Sequence, residues 1–256
     1  MSNKKKSITI ITPTTGDPLV VDNINSVSEQ TYDGQINHWI IVDGEEHCDK
    51  LFASKADNYA NSHDNILFKF AVNVTPTGKD GFNGHRIYGG YSYFVNTDYV
   101  MFLDEDNWID SDHIASFMSE ANKKDIDWGY SLRKIVDEDG KFICVDSCES
   151  LGHVPTWMNS EDYLVDVGCY FLKKEIAIEV SPFWYRIARP PGQLEVDRQI
   201  ARHLIKNKFK WFCTDEHTLN YRVGSRSDSV QGEFFLKGNK VIEQNKSKPK
   251  MLEIEI

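Results

Sequence analysis

The sequence predicts an α/β fold: a mostly parallel central sheet flanked by helices, with a smaller antiparallel region in the second half. Three observations carry this. In the first half, short β-branched runs alternate with amphipathic stretches, the pattern of right-handed crossovers that cover both faces of a parallel sheet. Polar clusters stand directly behind several runs, at Thr12-Pro13-Thr14-Thr15, Asp43 and Asp104-Glu105-Asp106. That carboxyl edge is where open α/β sheets bind ligands. Further on, two apolar runs flank an Asp139-Gly140 turn, the signature of a hairpin.

Taken in order, Ser7 to Thr12 is rich in β-branched residues and ends at Pro13, as a buried strand should. Leu19, Val20, Ile24 and Val27 fall at helical spacing. His38 to Val42 is the second strand, closed by Asp43-Gly44, and Asp49 to Tyr59 reads as a helix. Ile66 to Val72 is the third strand. Arg86 to Val95 is a helix weakened by Gly89-Gly90. Tyr99 to Leu103 is the fourth strand and runs straight into the acidic cluster. Asp112 to Asn122 is helical. Trp128 to Val136 and Phe142 to Val145 form the hairpin, Tyr163 to Leu172 reads as a strand, and Leu194 to Asn207 as a helix. From Gly238 the chain reads as a polar, lysine-rich tail.

Composition narrows the function classes. With 40% hydrophobic and 12% aromatic residues, the 256-residue chain can bury a sizeable core. Its 39 acidic residues against 29 lysines and arginines leave a net charge of −10, the wrong sign for a general nucleic-acid binder. No apolar run approaches the roughly 20 residues of a membrane helix. Five cysteines in a chain of this length do not make a disulfide framework, which predicts a reducing, cytoplasmic setting. Lys246, Lys248 and Lys250 form a basic tail that reads as a solvated, disordered segment or as a peripheral contact with an anionic membrane surface. No dinucleotide loop, phosphate-binding loop or serine elbow is present.

The sharpest chemical signal is Asp104-Glu105-Asp106. Three consecutive acids repel one another unless solvent or a cation relieves them. Oxygen ligands of this kind suit Mg²⁺ or Mn²⁺, which take their remaining ligands from water and substrate phosphates. In an extended segment Asp104 and Asp106 point the same way and Glu105 the other. By itself, the cluster reads more readily as a solvated acidic turn that ends a strand. Its context is more specific: a strand ending in Thr12-Pro13-Thr14-Thr15, a helix closing on Ser26-Val27-Ser28-Glu29-Gln30-Thr31-Tyr32, a second strand ending Val42-Asp43-Gly44, and Arg86-Ile87-Tyr88-Gly89 ahead of the acids. With these four ordered phrases the chain resembles the inverting family 2 glycosyltransferases of GT-A fold, over about residues 7–112 and more thinly afterwards.

That resemblance implies a Rossmann-like GT-A domain over residues 1–237. Its nucleotide-sugar half covers about 7–112 and its acceptor-side half about 113–237, followed by the polar tail 238–256. It further implies that Thr12, Pro13 and Thr14 line the nucleotide pocket and that Asp43 accepts a hydrogen bond from the base. His85 and Arg86 would lie near the nucleotide. Asp104, with Glu105 beside it, would face the ribose or sugar, and Asp106 would hold the divalent cation. The donor would be a nucleoside diphospho-sugar, UDP favoured, and the acceptor a hydroxyl of a glycan or related molecule. A general base is expected near the start of a late helix, where Asp197 is the candidate and Glu195 and Asp166 the alternatives. His217 is an additional candidate metal ligand. Arg222, Arg226 or Lys237 could clamp the diphosphate, and Trp157, Trp184 and Tyr185 could form a sugar platform. A sugar-phosphate nucleotidyltransferase and a non-catalytic sugar-binding module are the competing readings. The first would release pyrophosphate from a nucleoside triphosphate.

Overall fold

The computed structural model describes residues 4–54, 64–78, 82–185, 196–224 and 230–246. The first half contains β1 (Ile8–Thr14), α1 (Val20–Ser28), β2 (Ile36–Asp43), α2 (Cys48–Ala53), β3 (Ile66–Asn73), α3 (His85–Ser92) and β4 (Tyr99–Phe102). The second half adds β5 (Trp108–Ile109), α4 (His113–Ala121), β6 (Trp128–Val136), β7 (Phe142–Val145), β8 (Tyr170–Lys173), α5 (Lys174–Trp184), α6 (Val196–Lys206), β9 (Trp211–Arg222) and α7 (Gly232–Lys246).

Among the described residues the strands form one sheet in the order β3-β2-β1-β4-β8-β6-β9-β5, with β7 alongside β6. β1 runs parallel to β2 and β4, and β2 parallel to β3. β8 joins antiparallel to both β4 and β6, β6 and β9 are parallel, and β5 is antiparallel to β9. The sheet is therefore parallel in its first half and mixed in its second. β1 and β4 are buried along their whole length, which is why they read as unbroken apolar runs rather than alternating ones.

Helix packing explains two glycines that composition alone counts against a helix or strand. A Cβ on Gly89 would stand 2.8 Å from the Tyr185 ring and 3.0 Å from the Trp184 Cβ, so α3 can lie against α5 only with glycine there. A Cβ on Gly129 would stand 2.3 Å from Phe117 of α4. Trp184 itself is fully buried among Tyr88, Phe102 and His85. It belongs to the core, not to a sugar platform.

Three expectations need correction, and two elements are new. The helix expected over 49–59 ends at Ala53, and residues 55–63 lie outside the described residues. The strand expected from Tyr163 begins only at Tyr170, because Asp166 turns inward to cap a 3₁₀ turn at Val167–Cys169 and to pair with Arg133. Arg133 is buried between Asp146 and Asp166, 2.8 Å from the former, and lies over the Tyr221 and Phe235 rings. Burial opposes ionisation of Asp146, yet Arg133 and the Ser150, Cys148 and Glu149 amides hold its pKa below the ordinary carboxylate range. Removing one member of such a group costs roughly 3–5 kcal/mol. The polar tail is the third correction: α7 runs to Lys246, packing Phe235 against Ile135, Cys148 and Val223. Asn239 pins it by bonding the Val145 carbonyl and the Ser147 amide. Finally, β9 and α5 were not anticipated as elements. No helix among the described residues is long and apolar enough to cross a membrane. Lys248 and Lys250 lie outside the described residues.

Two histidines sit in the core as neutral rings. His38 bonds Thr12 Oγ1 and His113 bonds Thr218 Oγ1, and burial pulls each pKa down to about 3. The nearby Asp110 works against that shift at His113 without cancelling it. Both folded values lie below the ordinary histidine value, so the stability at stake is complete above about pH 6.5 and drains away as pH falls toward 3. Urea unfolding at a series of pH values is expected to show stability falling by about 2–3 kcal/mol per pH unit near pH 5 from this pair. His113→Gln should remove roughly half of that slope; an unchanged slope would refute the assignment.

Candidate active site

A cleft of ≈ 540 Å³ opens at the carboxyl ends of β1, β2 and β4, within the size range of small-ligand sites. Its floor is the acidic turn that leaves β4. The Asn107 amide bonds the Asp104 carbonyl at 3.1 Å and closes the turn. Burial alternates along it. All four residues border the cleft, but Glu105 and Asn107 are buried, at 6% and 1% exposure, while Asp104 and Asp106 are half-buried. The alternation expected from an extended segment is therefore present, and the two aspartates face one space.

Each residue of the turn is held by a different neighbour. Tyr88 donates its hydroxyl to Asp104 Oδ1 at 2.5 Å, and Asn23 donates to the Asp104 carbonyl at 2.8 Å. Burial and the Asp104 charge push the Tyr88 pKa well up, so it stays a donor. Glu105 turns away and accepts from Thr14 Oγ1 at 2.6 Å, the Thr15 amide at 2.9 Å and Thr15 Oγ1 at 3.1 Å. It is a clasp between the β1 and β4 ends and still borders the cleft. Arg222 reaches the Asp106 carbonyl through Nε at 3.0 Å, and its amide bonds the Asn107 side chain at 2.9 Å.

The opposite wall comes from β2. Asp43 Oδ1 accepts from Asn73 Nδ2, the Thr77 amide and Thr77 Oγ1 at 3.0, 2.8 and 3.1 Å, and Oδ2 accepts from the Gly78 amide at 2.9 Å. The carboxylate thus shapes the 73–78 loop beside the cleft that it lines. Pro13 and Thr14 line the cleft as well, and Gly84 lets α3 approach, since a Cβ there would stand 2.5 Å from Pro13. Glu46 and His47 extend the wall beyond Asp43.

Other expected residues are elsewhere. Thr12 is fully buried under the cleft, where it bonds His38 at 2.9 Å, so it supports the pocket without lining it. His85 packs on Trp184 and the Arg86 guanidinium lies 3.5 Å over the Phe82 ring. Asn83 and Gly84, just ahead of them, line the cleft instead. His217 stands on β9 opposite Leu132 and beside the Asp146 main chain, is not among the residues lining the cleft, and burial lowers its pKa. The β9 residues that do reach the cleft are Tyr221 and Arg222. Asp197 occupies the first turn of α6, where Oδ1 accepts from the Arg198 amide and its carbonyl from Tyr170 Oη. Arg198 is held by Glu149 and Asp162. Glu195, Arg226 and the Arg189-Pro190-Pro191-Gly192 segment lie outside the described residues. Asp166 has its reason in the Arg133 pair. Sequence reasoning missed Tyr88, although it stands inside the Arg86-Ile87-Tyr88-Gly89 phrase, and missed Asn23 and Asn107 altogether.

Among the described residues no group of three or more His, Cys, Asp or Glu side chains is placed to hold a metal ion. A cation at the acidic turn would have Asp104 and Asp106 and would rely on phosphate and water oxygens for the rest. That donor set suits Mg²⁺ or Mn²⁺.

No protein-family model matches the chain, and no curated protein matches it. Solved structures do. It superposes on S. aureus TarS 1–349 in complex with UDP-GlcNAc at a TM-score of 0.60, with 14% identity over 92% of this chain and 65% of that one. It also superposes on the mannosyltransferase PcManGT from Pyrobaculum calidifontis, in complex with GDP-Man and Mn²⁺, at 0.59, with 12% identity over 87% of this chain and 59% of that one. The chain has a GT-A-like fold. It spans less than two thirds of the length of either structure. In this GT-A-like frame the acidic turn and the Asp43 wall are the two sides of one cleft.

The Glu105 clasp makes a measurable claim. Glu105→Ala strands the Thr14 and Thr15 donors, and should lower stability by about 2 kcal/mol in denaturant titrations. Glu105→Gln, which keeps one acceptor oxygen, should recover about half of that. Equal stability of Glu105→Ala and the parent would show the clasp to be idle.

Proposed function

We propose that the chain is a metal-dependent inverting glycosyltransferase. It moves a hexose-type sugar from a nucleoside diphosphate, uridine favoured, to an acceptor hydroxyl of a glycan or related molecule. The observation that carries this reading is the acidic turn: two half-buried aspartates on the floor of a cleft whose other wall is the Asp43 loop. The TarS complex with UDP-GlcNAc and the PcManGT complex with GDP-Man and Mn²⁺ support a nucleotide-sugar reading for this fold.

In this reading Asp43 accepts from the base, and Pro13 and Thr14 border the nucleotide. Asp106, with Asp104, holds the Mg²⁺ or Mn²⁺. When bound, that ion neutralises charge on the departing diphosphate. Tyr88 keeps Asp104 oriented while the Glu105 clasp keeps the turn against β1. Asp197 takes the proton from the acceptor hydroxyl as its oxygen bonds the anomeric carbon. The bond from that carbon to the phosphate oxygen breaks on the opposite face, so the configuration inverts. At the start of α6 the helix dipole favours Asp197 as the carboxylate, the form a base requires.

Asp106→Ala is expected to lower turnover by about 10²–10³-fold, and to abolish the Mn²⁺-dependent gain in nucleotide affinity, with the melting temperature preserved. Full turnover in that variant would remove the metal role. Asp197→Asn should cut the rate by about 10²–10⁴-fold with donor affinity nearly unchanged; loss of affinity with turnover intact would move the base to Glu195. A thermal-shift panel of nucleoside diphosphates and their sugars, with and without Mn²⁺, tests the donor. Pyrophosphate released from a nucleoside triphosphate and a sugar phosphate would instead favour nucleotidyl transfer.

A further inference from the structure

Arg222 stands where β9 reaches the cleft, and the sequence offers it as a cation for the diphosphate. Its geometry describes a different task. The guanidinium spreads its donors over three separate elements: Nε to the Asp106 carbonyl at 3.0 Å, Nη1 to the Glu138 carbonyl at 2.7 Å, and Nη2 to Asp22 Oδ2 at 2.9 Å. The acceptors belong to the acidic turn, to the β6–β7 hairpin turn and to α1. The plane of the group lies 4.9 Å over the Trp108 ring, and its own amide holds Asn107.

The side chain is only 4% exposed. A charge that far from water is tolerated when its donors are satisfied and a counter-charge is near. Asp22 supplies the charge, two carbonyls supply acceptors, and the indole face adds a cation–π contact. Only a rigid planar fork can serve three directions from one carbon; a lysine ammonium delivers the same charge from a single point. Two residues upstream, Asn220 pairs with Trp108 across the β5–β9 ladder. Arg222 therefore reaches the acidic turn from a strand already registered against the turn's exit.

We propose that Arg222 is a positioning residue for Asp106. It fixes the Asp106–Asn107 peptide, and so the direction of the Asp106 carboxylate, through the Nε bond to the Asp106 carbonyl, which the Nη1 and Nη2 bonds to Glu138 and Asp22 hold in place. This deepens the metal-site reading proposed above and rests on it. The proposal separates fork geometry from charge. If Arg222 acts through its fork, Arg222→Lys and Arg222→Met fail alike; if it acts as a diffuse positive charge on the diphosphate, Arg222→Lys retains function.

The experiment is calorimetric titration of the full chain with uridine diphosphate, with and without Mn²⁺. Uridine titrated without metal reports on the base wall. Arg222→Lys and Arg222→Met are both expected to lose about tenfold or more of the Mn²⁺-dependent gain in uridine diphosphate affinity, as removal of outer-shell partners does elsewhere. Uridine binding should be unchanged. Asp22→Asn, which leaves the fork but removes its ionic partner, should lose a smaller part of the same gain. It also keeps the test decisive should Arg222→Met fail to fold. A full Mn²⁺-dependent gain in Arg222→Lys overturns this inference alone. Absence of any such gain in the parent chain overturns the metal reading, and this inference with it.

Discussion

The structure depends on holding two like charges side by side at the mouth of a sheet. Asp104 and Asp106 would separate or reorient if the turn that carries them were free, because their repulsion is relieved only by solvent or a cation. The fold prevents this by gripping every residue of the turn from a different direction. Tyr88 and Asn23 hold Asp104, the Thr14–Thr15 segment holds the intervening Glu105, and Arg222 holds Asp106 and Asn107. A loop so restrained is already arranged before a ligand arrives, so little binding energy is spent on ordering it.

Those restraints come from both halves of the chain. Tyr88 belongs to α3, whose position is set by the close approach of Gly89 to α5. Tyr221 and Arg222 belong to β9, which is registered in parallel on β6. Behind Tyr221 lies the Arg133 guanidinium, clamped between Asp146 and Asp166 and capped by Phe235 of α7. A change in the packing of α7 can reach the cleft through this route, although α7 lines none of it. The parallel half thus supplies most of the cleft, and the mixed half completes it with Tyr221 and Arg222 and braces it.

Much of the parallel half was legible because its strands are buried on both faces and its helices on one, so burial is written directly into hydrophobic spacing. The alternating exposure of Asp104, Glu105 and Asp106 was legible from the two-residue repeat of an extended segment. What could not be read was which buried acid serves which partner. Glu105 and Asp104 are chemically near-identical neighbours in one cleft, and only the closeness of Thr14 and Thr15, some ninety residues away in sequence, makes Glu105 the clasp. Asp166 inside an apolar run reads as an anomaly until Arg133 is seen opposite it. Nor could the sequence show that the register of β9 on β6 sets His217 opposite Leu132 and brings Tyr221 and Arg222 to the cleft.

By itself, then, the sequence determined the fold class, the carboxyl-edge location of the site and the residue types at its floor. All three follow from local periodicity and from strand-ending phrases. Tertiary structure alone decided which side chains converge on that floor, which support it from beneath, and how the late strand and the final helix complete it. The reason is that these contacts join residues of large sequence separation through hydrogen bonds and ion pairs. Such bonds have no period and leave no trace in hydrophobic spacing; they exist only once the strands are in register.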